Sequence, residues 1–317
     1  TEWTLRRNRE AFEWIDLVPG KPVDPKSVDL STKVYQTSMK YPIMVAPARH
    51  MQIHPEGEAA THRGASAAGT PYIVASDPTI PLAKVAAAGD GPLWYQLYGR
   101  ENLEANRPIL EEAQSLGCQA IVVTADQQAS YYPRSVHDYN LVSSLRRARE
   151  VKPAASGPAL YRVSTSRLWY SWRWLDEIRK MVNLPVVIKG IMTTEDAQIC
   201  VDRGLGVYVS NHGGRSLDYT ESPLEVLSEI VDLVRARVPV LVDSGLRRGT
   251  DILKALALGA NAVCMGRVQL WGLGAFGAPG VQRVLEILQA ELVQAAATAG
   301  HSSLASINRS AVRVHFS

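Results

Sequence analysis

Short runs in which nearly every residue is apolar alternate along this chain with longer stretches whose apolar residues recur at helical spacing. Eight of the short runs predict strands: Tyr41–Ala46, Tyr72–Ala75, Leu93–Leu97, Ala120–Thr124, Val186–Lys189, Val207–Ser210, Val240–Asp243 and Ala262–Met265. A strand that is apolar on both faces is buried on both sides, the mark of a parallel sheet covered by helices. Pro42, Pro71, Pro185 and Pro239 stand at strand entrances, where a missing N–H does least harm. Between strands, Gly69, Gly117, Gly204 and Gly259 each close a helical run, as left-handed C-terminal residues do. Ser222-Pro223-Leu224-Glu225 forms a capping box with proline in the first turn. Thr193-Thr194-Glu195-Asp196 opens another helix with acids at its positive end. From Thr250 to Leu258, Ile252, Leu253, Leu256 and Ala257 make one apolar face.

Eight strand–helix repeats predict the α/β class and a closed parallel (β/α)8 TIM barrel. An open doubly wound sheet is disfavoured. No G-x-G-x-x-G follows its first strand, and no ribose-binding acid is suitably placed. Gly272 to Gly277 has those letters, but it follows the eighth strand and reads as a loop. Asp126 to Pro185 is too long for one helix, so residues 127–168 are expected to be a lid-like insert after strand four. It belongs to a single barrel domain spanning 1–317. The stretch between Asp126 and Pro185 also holds the run Arg167-Leu168-Trp169-Tyr170-Ser171-Trp172-Arg173-Trp174. That run is expected to pack its tryptophans on the barrel or a neighbouring subunit, in preference to lipid. Thr1–Pro25 reads as a helical fragment and a loop.

Hydrophobic residues make up 46% of the 317, enough for a large core, and a net charge of +3 gives no footprint for nucleic acid. Cys118, Cys200 and Cys264 lack metal-ligand spacing, so no metal is expected; they read as reduced core thiols of a cytoplasmic protein. No apolar run reaches the ~18 residues of a membrane span. The first residues, Thr1 to Arg7, do not read as a signal peptide.

Barrel chemistry sits where strands end. The polar residues there are Tyr98, Asp126, Lys189, Asn211, His212, Asp243 and Arg267. In Ser210-Asn211-His212-Gly213-Gly214-Arg215, the glycines allow a tight turn that returns Arg215 to the side of His212. A base beside a guanidinium suits an anionic substrate that must lose a proton. Lys189 ends the apolar run Val186-Val187-Ile188 and needs a partner or a function. A Schiff base, an ion pair and stabilisation of negative charge on a cofactor all remain open. Asp243-Ser244-Gly245-Leu246-Arg247-Arg248-Gly249-Thr250 and Gly266-Arg267 follow strands seven and eight, the recurrent phosphate site of barrels. A plain helix N-cap at Thr250 is compatible with that reading.

On these residues the chain resembles the FMN-dependent 2-hydroxy acid oxidase/dehydrogenase family, which includes glycolate oxidase, lactate oxidase and mandelate dehydrogenase. Supporting blocks are His54-Pro55-Glu56-Gly57-Glu58, Trp94-Tyr95-Gln96-Leu97-Tyr98, Val187-Ile188-Lys189-Gly190-Ile191 and Arg247-Arg248-Gly249-Thr250-Asp251. The resemblance runs from about Leu5 to about Ile307. It implies FMN as cofactor, a small 2-hydroxy acid as substrate, dioxygen or another electron acceptor, and a homo-oligomer (tetramer or octamer). It implies His212 as base, Asp126 as its partner, Arg134 and Arg215 as the carboxylate clamp, and Tyr98 on the hydroxyl or carboxylate. Lys189 would sit by the electron-rich edge of the flavin. Pro47, Ala48, Ser76, Gln96, Thr124 and Ser210 would contact the ring or ribityl chain. Asp243, Gly245, Arg247, Gly266 and Arg267 would hold the ribityl chain and phosphate. Related FMN barrels with isomerase-like chemistry, or a non-catalytic flavin-binding role, are the alternatives.

Departures from the family accompany the matches. Its active-site tyrosine lies upstream of the segment matching Leu5: either the stretch bearing it lies outside this sequence or the contact is lost. The flavin-contacting Ala-Pro-Thr-Ala reads Ala46-Pro47-Ala48-Arg49, and the run to His54 is one residue shorter. Ala75 takes the place of a serine, with Ser76 beside it. Arg134 aligns only with one extra residue after Asp126, and Ser216 replaces a glutamine. His54 is expected to fix the loop entering the first barrel helix, and His50 to approach the active site. His62, His137, His301 and His315 have no assigned role.

Overall fold

The computed structural model describes residues 1–50, 53–76, 78–126 and 171–315. The lid-like insert 127–168 and Arg134 therefore lie outside the described residues. In chain order, helix α1 (Trp3–Glu10) and strand β1 (Ile15–Leu17) precede a hairpin of β2 (Thr32–Val34) and β3 (Thr37–Met39). The barrel follows: β4 (Ile43–Val45), α2 (Gly57–Ala67), β5 (Tyr72–Val74), α3 (Leu82–Ala86), β6 (Leu93–Leu97), α4 (Arg107–Ser115) and β7 (Ile121–Thr124). It continues with α5 (Trp172–Lys180), β8 (Val186–Ile191), α6 (Thr194–Asp202), β9 (Gly206–Val209) and α7 (Pro223–Val234). Strand β10 (Val240–Val242), α8 (Gly249–Ala257), β11 (Ala262–Met265), α9 (Arg267–Thr298) and β12 (Val312–Val314) complete it.

Strands β4 to β11 pair in parallel, and β11 closes on β4 with Cys264 opposite Met44. All eight expected strands are present, because both faces of each are apolar and both are buried. Alternate residues divide the core in two. Met44, Ile73, Trp94, Val122, Val187, Tyr208, Leu241 and Cys264 fill the barrel. Ile43, Val45, Val74, Ile121 and Val207 face out against the helices. The β2–β3 hairpin stops one end: Val34 and Met39 join the interior cluster, and Trp94 Nε1 donates to Thr37 Oγ1 at 2.8 Å. Thr37 Oγ1 in turn bonds Gln119, just before β7, at 2.6 Å. That end is sealed, so the carboxyl ends of the strands form the open mouth.

The expected glycine stops at 69, 117, 204 and 259 all have positive φ, and the Ser222 capping box is present. Thr193 caps α6 through the Asp196 N–H. The tryptophan-rich helix packs as expected on the barrel: Trp174 is buried against Gly99, where a Cβ would stand 1.9 Å from the ring.

Three expectations need correction. The stretch from Gly272 to Gly277 is helix, not loop: it lies in α9, which bends at Phe276 and Gly277, where φ reaches −143° and +62°. Gly272 permits the bend because a Cβ there would meet the Gly280 carbonyl oxygen at 2.4 Å. Helix α8 starts at Gly249 with Arg248 at its cap, and Thr250 lies inside it; Asp251 accepts the Arg247 and Arg248 N–H groups. The N-terminal loop contains β1, paired antiparallel to β12 with Ile15 opposite Val314.

Candidate active site

Strand β9 delivers the base. After Ser210 the backbone turns through three residues of positive φ: His212 at 60°, Gly213 at 69° and Gly214 at 75°. The turn puts the His212 ring over the mouth, with Nδ1 2.9 Å from Asp126 Oδ1 at the end of β7. An ionised carboxylate only accepts, so Nδ1 carries the proton and Nε2 presents a lone pair. Tyr98, following β6, lies 3.3 Å from that Nε2 through its hydroxyl. Asp126 fits because β8 has glycine next: a Cβ at Gly190, whose φ is +106°, would stand 2.6 Å from the Asp126 Cβ.

Burial pushes the His212 pKa down, Lys189 pushes it further, and Asp126 opposes both; the result is below 6.5. Burial works in the other direction on Asp126, but Lys189 and His212 outweigh it and hold the carboxylate below its ordinary value. The pair is thus set as a carboxylate and a neutral imidazole able to take a proton.

Lys189 is only 3% exposed. Its Nζ donates to Ser210 Oγ at 2.8 Å and lies 3.7 Å from Asp243 Oδ2. Ser210 Oγ also accepts the His212 N–H at 3.1 Å, which ties lysine and base together. Beside them is a polar bed. Ser76 sits under Gln96, donating its N–H to Gln96 Oε1 at 3.1 Å. Among the described residues, Gln96 Nε2 and Thr124 Oγ1 are buried without a hydrogen-bond partner. Such atoms in a strand-end mouth call for a ligand with its own acceptors and donors. Pro47 and Ala48, half-buried, follow β4 at the same rim.

The other end of the mouth is cationic. Gly266 caps α9, and a Cβ there would meet nothing within 4 Å, so open space faces a helix N-terminus. Arg267 Nη2 donates to the Gly213 carbonyl at 2.8 Å. Burial, then Arg215, lower the Arg267 pKa, which places Arg215 at the same rim. Arg247 stacks over Trp271 at 5.1 Å, and burial, then Arg267 and Arg9, bring its pKa down to about 10. Crowded, half-buried guanidiniums favour an anion. A dianionic phosphate here and a polar ring over Gln96, Thr124 and Lys189 match FMN, so the residues present fit that cofactor.

His212, Asp126, Tyr98, Lys189, Gln96, Thr124, Ser210, Asp243, Gly245, Arg247, Gly266, Arg267 and Arg215 all belong to this one mouth. His50 does not approach it. The ring is fully buried, bonded to Thr61 at 2.7 Å and 3.2 Å from Glu58, because α2 offers it polar partners. Asn8 and Arg9 carry no signal in the strand pattern, and Ser244 is legible only as part of the loop after strand seven, yet all three touch site residues. Ser244 Oγ accepts the Gly213 N–H and donates to Asp243, and Arg9 bonds the Gly245 carbonyl.

A closed barrel with a proton-accepting imidazole beside a cationic rim at its mouth fits a flavin-type oxidoreductase scaffold. Comparison with known proteins narrows this. A family described as FMN-dependent dehydrogenase matches residues 1–314. The chain is 36% identical over 319 residues to the peroxisomal (S)-2-hydroxyacid oxidase GLO3 of Arabidopsis thaliana, covering 98% of this chain and 88% of that one. It is 38% identical over 326 residues to glycolate oxidase 3 of Oryza sativa subsp. indica, with the same coverage. A mandelate oxidase structure with (S)-2-phenylpropionate superposes with a TM-score of 0.86 at 34% identity, over 100% of this chain and 91% of that one. The chain belongs to the FMN-dependent dehydrogenase family. Its cofactor is FMN.

Proposed function

We propose that this protein oxidises a small 2-hydroxy acid to the 2-oxo acid with FMN as the oxidant, His212 serving as base. The observation that carries the reading is the string Asp126–His212–Tyr98 opening beside the unpartnered Gln96 Nε2 and Thr124 Oγ1. FMN, when bound, supplies the two-electron acceptor. His212 Nε2 takes the substrate proton, and Asp126 balances the imidazolium that results. Tyr98 donates to the substrate oxygen. Arg215 binds the carboxylate, together with Arg134. Lys189 would face the bound cofactor and supply a positive charge to offset the negative charge that reduction adds. Dioxygen or another carrier would be the final electron acceptor.

The test is anaerobic. Lactate, glycolate, mandelate and longer 2-hydroxy acids are each mixed with holoenzyme, and the flavin absorbance is followed before and after air is admitted. At least one acid should bleach the flavin and air should restore it. A flavin that no hydroxy acid bleaches would overturn the assignment.

Two further readings go with it. Exposed Trp271 and Phe276, with Ile53 near Gly274, support self-association, and the family resemblance implies four or eight chains. Light scattering at micromolar concentration should give a multiple of the chain mass. Buried, unpaired Cys118, Cys200 and Cys264 support a reducing compartment, the cytoplasm.

A further inference from the structure

The base sits on a backbone that histidine adopts reluctantly. A φ of 60° is common for glycine and uncommon for a residue with a Cβ, and it persists only where the surroundings over-determine it. Part of the surroundings is local: Gly213 N–H to Ser244 Oγ at 3.0 Å, and His212 N–H to Ser210 Oγ. Another part comes from more than 200 residues away.

Helix α1 lies against the turn. Asn8 is 1% exposed, and its amide makes a reciprocal pair with that of Asn211, the residue before the base. Asn8 Nδ2 donates to Asn211 Oδ1 at 2.9 Å, and Asn211 Nδ2 donates to Asn8 Oδ1 at 2.7 Å. Asn211 uses the rest of its capacity on the turn, accepting the Gly214 N–H at 3.0 Å and donating to the Glu221 carbonyl at 3.0 Å. Every polar atom of both amides is thus committed to one geometry. The helix backbone touches the two glycine turns as well. A Cβ at Gly214 would stand 2.8 Å from the Leu5 Cα, and one at Gly245 would stand 1.9 Å from the Asn8 carbonyl oxygen.

We propose that Asn8 is a positioning residue: through its reciprocal pair with Asn211 it holds His212 in its left-handed backbone and so aims Nε2 at the substrate. The proposal rests on His212 being the base. Asn8 itself bonds Asn211, so it acts through the turn. A buried amide pair fits this task because it is directional, and replacing one partner leaves the other with unmet donors and acceptors. Loss of the pair loosens the turn, while Arg247 keeps its stack on Trp271 and Lys189 its contacts to Ser210 and Asp243.

The experiment compares holoenzyme of the wild type with Asn8→Ala, Asn8→Asp and a His212→Asn control. A hydroxy acid that bleaches the wild type is used in anaerobic stopped flow, with FMN content, air reoxidation and Tm recorded alongside. Misplacing a reacting group by about 1 Å can cost on the order of 100-fold. Asn8→Ala should therefore slow bleaching at saturating substrate by about 10-fold or more, while half-saturation and reoxidation stay within about twofold. Asn8→Asp keeps an acceptor for Asn211 Nδ2 but sets a buried carboxylate against Asn211 Oδ1, and it should be at least as slow as Asn8→Ala. Wild-type bleaching in Asn8→Ala would overturn the proposal. So would a parallel loss of bleaching, reoxidation and Tm, which marks a residue that only holds the fold. If Asn8→Ala does not fold, Asn8→Ser carries the same criteria. His212→Asn separates the two readings: if it bleaches normally, the base assignment itself fails. If it does not bleach while Asn8→Ala behaves as wild type, only the positioning role fails.

Discussion

His212 is pulled two ways, and the balance has a sign that kinetics can read. Burial and Lys189 lower its pKa, Asp126 raises it, and the net value lies below 6.5. The base must be neutral to accept a proton. The kcat/KM for a hydroxy acid should therefore be flat near neutrality and fall with acid, with the limb below pH 6.5. Asp126→Asn removes the raising influence, so the limb should move to lower pH while kcat drops, the imidazolium having lost its counter-charge. His212→Asn should cost about 10²- to 10⁴-fold in kcat/KM, the usual contribution of a positioned base. A second titrating residue acts on stability. Glu58 is buried; burial raises its pKa, but His50 and Thr79 outweigh that and bring it to about 2 from an ordinary 4.5. A depressed folded pKa contributes stability above pH 4.5 that is lost as the pH falls towards 2. The Tm gap between wild type and Glu58→Gln should narrow between pH 7 and pH 3.

Elements place these residues, and one glycine shows how tightly. Gly190 combines a φ of +106° with a Cβ position 2.6 Å from that of Asp126. Gly190→Ala should destabilise by at least about 1 kcal/mol in urea melts. It should also reduce kcat, because Asp126 must move off His212. The barrel strands were legible because burial on two faces leaves a continuous apolar run that no exposed segment tolerates. Their polar ends followed at once: Tyr98, Asp126, Lys189 and His212 each stand at or just beyond such a run. Helix α9 was misread at Gly272 because the glycines that look like a loop serve a close approach between the two arms of a bent helix. Strand β1 is three residues long and alternates little; its partner β12 is almost the whole chain away. Asn8 is illegible for a related reason: its partner is set by tertiary contact, and neither periodicity nor motif spacing reports that.

At the scale of the molecule, one mouth joins two chemistries: a base with its carboxylate, and a cationic rim bearing Arg9, Arg247 and Arg267. The rim should make FMN far better than riboflavin as a ligand. A charged hydrogen bond contributes about 1.5–3 kcal/mol, so Arg267→Ala should weaken FMN binding by roughly 10- to 100-fold. Riboflavin binding should change little in the same variant, and fluorescence titration of apoprotein measures both. FMN should also protect the fold: at about 100 times its Kd a ligand adds about 2.7 kcal/mol, visible as a rise in Tm of several degrees.

Helix α1 finds its partners at Asn211, Gly214, Asp218, Glu225, Gly245 and Asp251, all more than 200 positions downstream. During synthesis from the amino end it must wait for them on the order of tens of seconds. Helix α1 thus leaves the ribosome long before it can dock, and a nascent chain halted before Asp251 has not completed its catalytic mouth.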